Sequence, residues 1–301
     1  GARVALIARA SARLDAAARE IETLGGEALA LPLDVADADA MERAAAAVEA
    51  RWGAIDVWVN NAMTSVFSPV KEMRAQEVKR VTEVTYLGVV NGTLAALKRM
   101  LPRNQGVIVQ VGSALAYRAI PVQSAYCAGK HAVKAFTESL RCELLYDKSR
   151  VKITIVHMPA LNTPHFNWAK TRLPRKLQPV PPIYQPDLAA ETIHWAARHP
   201  RREYYFGAST QRAVWANKFF PGLIDRYLAY KGYDIQQYDG AQAPDRRDNL
   251  WESVPLMRAV RGDFDARANA RSLQWWFARK PGWLFALALA LVGVVLLANV
   301  V

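Results

Sequence analysis

The start of the chain decides the fold, because residues 3–34 read RVALIARASARLDAAAREIETLGGEALALPLD. The two apolar runs at 3–8 and 28–33 are typical of buried strands. The stretch between them, at 11–24, has the pattern of a helix that begins at a serine and ends at a Gly-Gly pair. A strand, a helix and a second strand in this order predict a right-handed βαβ unit of a parallel sheet.

The same alternation of strands and helices continues along the chain. It predicts a Rossmann-like α/β fold, a doubly wound parallel sheet in which ligands bind at the carboxyl ends of the strands. Polar side chains stand at those ends, at Arg9, Asp34, Asn60 and Ser113. The later strands are predicted at 55–59, 107–111, 151–157 and 203–206, and the later helices at 38–52, 71–100, 124–146 and 186–198.

Changes in composition divide the chain into four predicted segments. A Rossmann-like dinucleotide-binding and catalytic domain covers 1–207, and a helical extension follows at 208–231. A linker and basic juxtamembrane segment at 232–282 leads to a transmembrane helix at 283–301. Within the first segment, 161–186 mixes proline with aromatic and basic residues, and a loop of that length is expected to cover a site.

The composition also excludes several classes of protein. The net charge is +12, yet no recognition helix, zinc finger or RNP-like run accompanies it, so we expect no nucleic-acid partner. Two cysteines, Cys127 and Cys142, stand 15 residues apart, and the five histidines have no metal-ligand spacing. We therefore expect neither a disulfide framework nor a metal site.

Ser113, Tyr126 and Lys130 form the candidate catalytic group. Tyr126 and Lys130 are four residues apart in a predicted helix, so their side chains share one face. A free tyrosine titrates near ~10, and a neighbouring ammonium is expected to lower that pKa and activate the phenol for proton transfer. Ser113, at the end of the preceding strand, can orient a substrate oxygen. The three together predict reduction of a carbonyl, although Tyr-x-x-x-Lys alone is short enough to be a chance surface pair.

The candidate group stands among motifs that follow one another in a fixed order. Asp34-Val35, Asn60-Asn61-Ala62-Met63, the YCAGK run that begins at Tyr126 and the run from Pro159 to Thr163 resemble motifs of the short-chain dehydrogenase/reductase family, over residues 1–207. The resemblance implies a nicotinamide dinucleotide cofactor and a hydride-transfer reaction. It implies catalytic roles for Ser113, Tyr126 and Lys130, and cofactor contacts from Asp34, Val35, Asn60, Ala62, Tyr126, Lys130, Pro159 and Thr163.

The sequence departs from the family pattern at three places. Thr85 stands where the family has a catalytic asparagine that helps to hold a water beside the lysine, and we expect the threonine or its backbone carbonyl to take that role. Met63 and Ala160 replace glycines where the backbone approaches the cofactor. The glycine-rich phosphate loop is missing, because the opening strand resembles the second strand of the family. We therefore expect one N-terminal βα unit to be truncated and this chain to bind cofactor poorly.

Arg9 indicates which nicotinamide cofactor is used. A site selective for NAD places a carboxylate at the end of the second strand of the fold, for the ribose 2′-hydroxyl. The corresponding position here is Ala8, and Arg9 and Arg13 follow it. A guanidinium suits a 2′-phosphate, so we predict NADP(H). The alternative is that Arg9 is a solvated charge at a strand end.

Residues 283–301 read WLFALALALVGVVLLANVV, nineteen residues without a charge. A helix of this length spans ~28 Å at ~1.5 Å per residue, close to the hydrocarbon core of a bilayer. Tryptophans stand at its start, and six Lys or Arg against two Asp lie between 258 and 282. We predict one C-terminal membrane span, with the catalytic domain facing the cytoplasm and membrane lipids as partners. The alternative is a helix buried against the domain or a dimer partner.

Taken together, these features predict an NADP-dependent oxidoreductase that interconverts a carbonyl and a secondary alcohol on a lipophilic substrate at a membrane. Thr85 and the two replaced glycines leave a second hypothesis open, a catalytically impaired nucleotide-binding or scaffold protein of the same fold. The sequence leaves both a monomer and a homo-oligomer open.

Overall fold

The computed structural model describes residues 1–243, 245–254 and 260–280. The strands are β1 (Arg3–Ala8), β2 (Glu27–Pro32), β3 (Val57–Asn60), β4 (Val66–Phe67), β5 (Val107–Ser113), β6 (Lys152–Met158), β7 (Ala160–Leu161), β8 (Lys170–Thr171), β9 (Arg175–Leu177), β10 (Ile183–Tyr184), β11 (Glu203–Tyr205), β12 (Gln237–Ala241) and β13 (Ala268–Asn269). The helices are α1 (Ser11–Thr23), α2 (Ala38–Trp52), α3 (Ala75–Thr82), α4 (Gly88–Met100), α5 (Ser124–Tyr146), α6 (His165–Trp168), α7 (Pro186–Arg198), α8 (Ala208–Phe219), α9 (Pro221–Lys231) and α10 (Leu273–Ala278).

The strands of the core run parallel, as predicted. β1 pairs with β2, and a second sheet has the order β11-β6-β5-β3. Neighbouring residues of β5 face opposite ways: Ile108 packs with α2, α4 and α5, whereas Val109 packs with α7 and α10. Helices therefore cover both faces of the sheet, which is the Rossmann-like α/β architecture.

The structure differs from the prediction of a single sheet, because the strands form two parallel sets. Within the described ranges, β1 pairs only with β2, and β3 pairs only with β5. Ile7 of β1 nevertheless packs against the same apolar cluster as Trp58 of β3, so the two unpaired edges belong to one core. Val57 and Val59 of β3 remain 43% and 41% exposed, although strands of parallel sheets are normally covered.

The predicted helix at 71–100 is two helices, α3 and α4, joined by a π-helical turn at Glu83–Leu87. A Cβ on Gly88, the first residue of α4, would lie 2.6 Å from Cγ2 of Val35. The helix therefore approaches the segment after β2 closely at this glycine. The turn also places Thr85 in the interior, completely buried. A single widened turn scarcely changes the spacing of apolar residues, so the sequence pattern did not reveal it.

The region after β11 packs on the domain. The predicted extension at 208–231 forms α8 and α9, whereas the predicted linker at 232–282 differs from a linker over its described part. β12 pairs with β9 in antiparallel fashion. Leu250, Phe264 and Trp275 of this segment are buried. Their burial stabilises the packing of the segment on the domain.

The predicted transmembrane helix at 283–301 lies outside the described residues. Among the residues that the structure describes, no helix combines the length and the apolar character needed to cross a bilayer.

Candidate active site

The candidate catalytic group lies where β5 meets α5. Ser113 is the last residue of β5, and its Oγ accepts a hydrogen bond from the Leu115 amide at 3.1 Å. Tyr126 and Lys130 lie one turn apart in α5, as their spacing predicts. A side-chain hydrogen bond links Ser113 to Tyr126. The structure therefore brings the three residues together at the carboxyl end of a central strand.

Lys130 is buried beside Tyr126. Its Nζ donates a hydrogen bond to the Val111 carbonyl oxygen at 2.7 Å and lies 5.7 Å from the centroid of the Tyr126 ring. Burial lowers the pKa of Lys130 to about 8, because desolvation disfavours the ammonium form. At neutral pH the amine is still mostly protonated, so a positive charge stands beside the phenol.

Burial raises the pKa of Tyr126, and the hydrogen bond from Ser113 opposes this only in part. The sequence predicts the opposite direction, because the charge of Lys130 can be inferred from the spacing whereas the desolvation of the phenol depends on the tertiary structure. A phenol that keeps its proton is suited to donate it to a developing alkoxide, which is the direction of carbonyl reduction.

Thr85 lies in the π-helical turn, close to α5. Its Oγ1 donates to the Thr64 carbonyl oxygen at 2.9 Å and accepts from the Thr64 amide at 3.2 Å. A Cβ added to Gly129 of α5 would lie 3.2 Å from the methyl group of Thr85. The hydroxyl thus ties the turn to the loop after β3, and in the described residues no hydrogen bond joins it to Lys130.

Asp34 and Arg9 lie at the carboxyl ends of β2 and β1. Burial opposes ionisation of Asp34, yet the Ala36 amide (3.0 Å) and the guanidinium of Arg80 together hold its pKa below the usual range. Arg80 comes from α3, 46 residues along the chain, and was not among the predicted site residues. No local pattern links two residues so far apart, so this ion pair carried no sequence signal.

Arg9 is held by the backbone of a distant segment, residues 249–251. Its guanidinium donates to the carbonyl oxygens of Asn249 (2.5 Å) and Trp251 (2.7 Å). Leu250 between them is completely buried and packs with Val66, Val81, Ala125 and Tyr126. Arg9 is therefore not a freely solvated charge, and the 249–251 segment lies between the predicted phosphate-binding arginine and the predicted proton donor.

Two predicted cofactor residues follow the end of β3. The side chain of Asn60 is buried, accepts from Trp58 Nε1 (2.8 Å) and donates to Thr93 (3.0 Å) and Gln110 (2.9 Å). These bonds hold β3 to β5 and α4, which leaves only the main chain of Asn60 for the predicted cofactor contact. Ala62 is half-buried in the loop that follows.

The other predicted cofactor residues lie at strand ends as well. The Val35 carbonyl oxygen accepts a hydrogen bond from the Asn91 side chain (3.0 Å), and the Val35 side chain packs on Gly88. Pro159 follows β6 directly, and Thr163 follows β7 with its amide bonded to the Leu161 carbonyl (2.9 Å). Both are half-buried beside the site.

His157 contacts the carboxyl end of β5, a role that no sequence pattern predicted. The completely buried ring contacts the Ser113 carbonyl oxygen through Nδ1 (3.2 Å) and Glu203 through Nε2 (3.0 Å). Burial opposes ionisation of Glu203, but His157 and Tyr117 together hold its pKa far below the usual range. This group links β11 and β6 to Ser113, the candidate catalytic serine.

The predicted covering loop at 161–186 brings an aromatic cluster to the site. The ring centroids of His165 and Phe166 lie 6.2 and 6.1 Å from the ring centroid of Phe67. Phe67 is adjacent in sequence to Val66, which packs near Tyr126. Burial lowers the pKa of His165 to about 4, so its ring is neutral. Aromatic side chains therefore border the site, and the Arg246 guanidinium lies close to them, with Nη1 donating to the Phe166 carbonyl oxygen at 3.2 Å.

Comparison with known proteins agrees with this geometry. Residues 1–172 match the sequence profile of the short chain dehydrogenase family. An uncharacterized oxidoreductase, YxnA of Bacillus subtilis, is 31% identical over 257 residues, which cover 84% of this chain and 72% of that protein. A fatty acyl-CoA reductase of Acinetobacter baylyi is 31% identical over 205 residues, 67% of each chain.

A solved structure shares the fold. The alcohol dehydrogenase of the archaeon Thermococcus sibiricus, complexed with 5-hydroxy-NADP, superposes with a TM-score of 0.56 at 26% identity, over 67% of this chain and 83% of that one. The fold and the site define an oxidoreductase with a nicotinamide dinucleotide cofactor. The chain belongs to the short chain dehydrogenase family, as its motifs predicted.

Proposed function

We propose that the protein interconverts a carbonyl and a secondary alcohol with NADP(H). The observation that carries this proposal is the meeting of Ser113 and Tyr126 beside the buried ammonium of Lys130. Tyr126 donates its proton to the carbonyl oxygen, Ser113 orients that oxygen, and Lys130 stabilises the negative charge that develops on the phenol. The bound cofactor supplies the hydride, while Tyr126 and Lys130 hold its ribose.

The choice of NADP(H) is supported by Arg9 and by the NADP derivative bound to the Thermococcus enzyme. A 2′-phosphate on Arg9 would have to replace the carbonyl oxygens of Asn249 and Trp251. The residues present thus fit the nicotinamide end of the cofactor. At the adenosine end, Arg9 and Asp34 lie at the expected strand ends, but Arg9 already bonds with the Trp251 carbonyl oxygen and Asp34 with Arg80.

A further strand is part of the proposal. Among the described residues, β1 and β3 each have an unpaired edge, and one parallel strand between them would pair with both and cover Val57 and Val59. The loop after such a strand would approach the cofactor phosphates from a helix N-terminus. This supports the hypothesis of a further βα unit that carries the glycine-rich loop at this position of the sheet.

A lipophilic substrate and a membrane setting complete the proposal. The aromatic cluster of Phe67, His165 and Phe166 supplies an apolar border, and a fatty acyl-CoA reductase is among the relatives. The uncharged stretch at 283–301 supports a single membrane span with the domain on the cytoplasmic side.

NADPH consumption with a panel of lipophilic ketones and aldehydes tests the proposed activity. Turnover and NADPH binding are measured in a version of the chain to which the further βα unit with the glycine-rich loop has been added, because the chain without it is expected to bind NADPH poorly. Turnover of at least one member is expected. The second hypothesis, a catalytically impaired scaffold, is favoured by the Thr85 hydroxyl, whose donor bond goes to Thr64, and by the 249–251 segment on Arg9. NADPH binding without turnover on the whole panel would decide for the scaffold.

Replacing Arg9 with serine tests the choice of cofactor. A charge-assisted hydrogen bond to the 2′-phosphate contributes about 2 kcal/mol, so NADPH affinity should fall at least about tenfold while NADH affinity stays unchanged. Fluorescence titration of both cofactors measures this. The matched control is Arg3→Ser, at the other end of β1, where the exposed guanidinium pairs with Glu27 at 3.2 Å. Equal losses for NADPH and NADH, or the same loss in Arg3→Ser, would show that Arg9 does not hold the phosphate.

A further inference from the structure

Helices α8 and α9 expose an unusual number of large apolar side chains. Six of them, all between 215 and 230, are from 56% to 76% exposed. Phe219, the last residue of α8, and Phe220, between the two helices, have ring centroids 6.5 Å apart, so the exposed side chains continue from α8 to α9. We call the six the aromatic face: Trp215, Phe219, Phe220, Leu223, Tyr227 and Tyr230. Contiguous exposed apolar surface of this kind marks a place where another body binds.

The two helices turn their apolar sides outward. Trp215 and Phe219 lie one turn apart on α8, with stacked rings whose centroids are 5.8 Å apart. On α9, Leu223, Tyr227 and Tyr230 follow at helical spacing along one side. A surface helix normally buries such a stripe against the core. Here the only buried residues of α8 and α9 in the structure are Thr210 and Leu228.

The aromatic face carries more positive than negative charge, although Glu138 and Glu203 line the cleft beside Trp215 and Lys218. Between 208 and 233 the chain has four cations, Arg212, Lys218, Arg226 and Lys231, and a single carboxylate, Asp225. Arg118 pairs with that carboxylate at 2.6 Å. Lys218 and Lys231 lie over the rings of Trp215 and Tyr230, with Nζ 5.4 and 4.5 Å from the ring centroids.

This charge distribution distinguishes between the candidate occupants of the face. A second copy of the chain, docked through the same face, would bring the cations of both copies together in an isologous contact, and like charges oppose that. Trp, Tyr and Phe mixed with Lys and Arg are instead typical of helices that lie in a membrane interface and contact anionic headgroups.

We propose that the aromatic face is a membrane-docking surface for an anionic bilayer, with the rings of α8 and α9 inserted at the headgroup level and the four cations contacting lipid phosphates. This inference rests on the proposed membrane setting but not on the proposed reaction. It adds a second attachment in the folded domain, separate in sequence from the stretch at 283–301. Two attachments would hold the domain in one fixed orientation on the bilayer.

Hydroxyl-radical footprinting of the full chain tests the proposal, because it reports each side chain separately and does not depend on turnover. On vesicles of phosphatidylcholine with phosphatidylglycerol, labelling of Trp215, Phe219 and Tyr230 should fall at least about threefold relative to vesicle-free protein. The matched control is Tyr146 at the end of α5, which is 88% exposed and lies outside the aromatic face. Its labelling should not change.

Charge reversal separates the role of the cations from that of the rings. In Lys218→Glu with Lys231→Glu, the protection of Tyr230 on the anionic vesicles should be lost. Equal labelling of Tyr230 and Tyr146 on vesicles would overturn the proposal even if the chain sediments with the lipid through another segment. Protection of Tyr230 without vesicles would also overturn it: protection that grows with protein concentration would assign the face to a second copy, and protection independent of concentration would assign it to the chain itself.

Discussion

Replacing Tyr126 with phenylalanine is expected to lower kcat for carbonyl reduction by about 100- to 10,000-fold, the contribution of a well-placed general acid. The substitution removes only the hydroxyl that hydrogen-bonds with Ser113 and keeps the ring that packs near Val66 and Val81. The fold should therefore be retained, and the affinity for NADPH should fall by no more than about tenfold, the effect of one lost hydrogen bond to the ribose. NADPH consumption with a reducible ketone measures the first effect, and NADPH fluorescence titration measures the second.

The matched control for this prediction is Tyr146→Phe, which removes the hydroxyl of an exposed tyrosine from the same helix, α5. It should leave turnover unchanged. Undiminished turnover in Tyr126→Phe would reject Tyr126 as the proton donor. A loss of NADPH binding in that variant, equal to its loss of turnover, would assign Tyr126 to cofactor binding instead of proton transfer.

The sequence predicted the parts of the site that depend on local geometry. Tyr126 and Lys130 are neighbours because a helix repeats every four residues or so, and Ser113 lies at a strand end because an apolar run stops there. The order of parallel strands and helices also follows from local patterns. The division of the strands into two sheets does not, because it depends on which strand edges meet.

The missed parts of the site depend on contacts between distant residues. Arg80 reaches Asp34 across 46 residues, and Arg9 reaches the 249–251 segment across about 240. The mostly polar sequence around Leu250 predicted a linker, because so few apolar residues show neither helical nor strand periodicity. The direction of the Tyr126 pKa was missed for a similar reason, since desolvation is set by neighbours from several elements.

Replacing Lys130 with methionine is expected to abolish turnover and to stabilise the fold at neutral pH. The buried ammonium stands beside the phenol that gains negative charge, so its loss should lower kcat at least about 100-fold. Burial lowers the pKa of Lys130 from 10.5 to about 8, a difference that corresponds to roughly 3 kcal/mol of unfavourable free energy for the charged form. The lost hydrogen bond to Val111 offsets about 1 kcal/mol, which leaves a net gain of about 2 kcal/mol in the free energy of unfolding.

The pH dependence makes this prediction specific. Below pH 8 both the folded and the unfolded wild-type chain carry the proton, so the cost of the buried charge is complete. Between pH 8 and 10.5 the folded state has lost the proton and the unfolded chain still binds it, so the stability of the wild type rises with pH. The advantage of Lys130→Met in urea unfolding should therefore be full at neutral pH and vanish towards pH 10.5. Lys152→Met, which removes an exposed lysine of β6, should show no such trend. A Lys130→Met protein that is less stable than the wild type across the whole pH range would mean that the bond from Nζ to Val111 outweighs the desolvation of the charge.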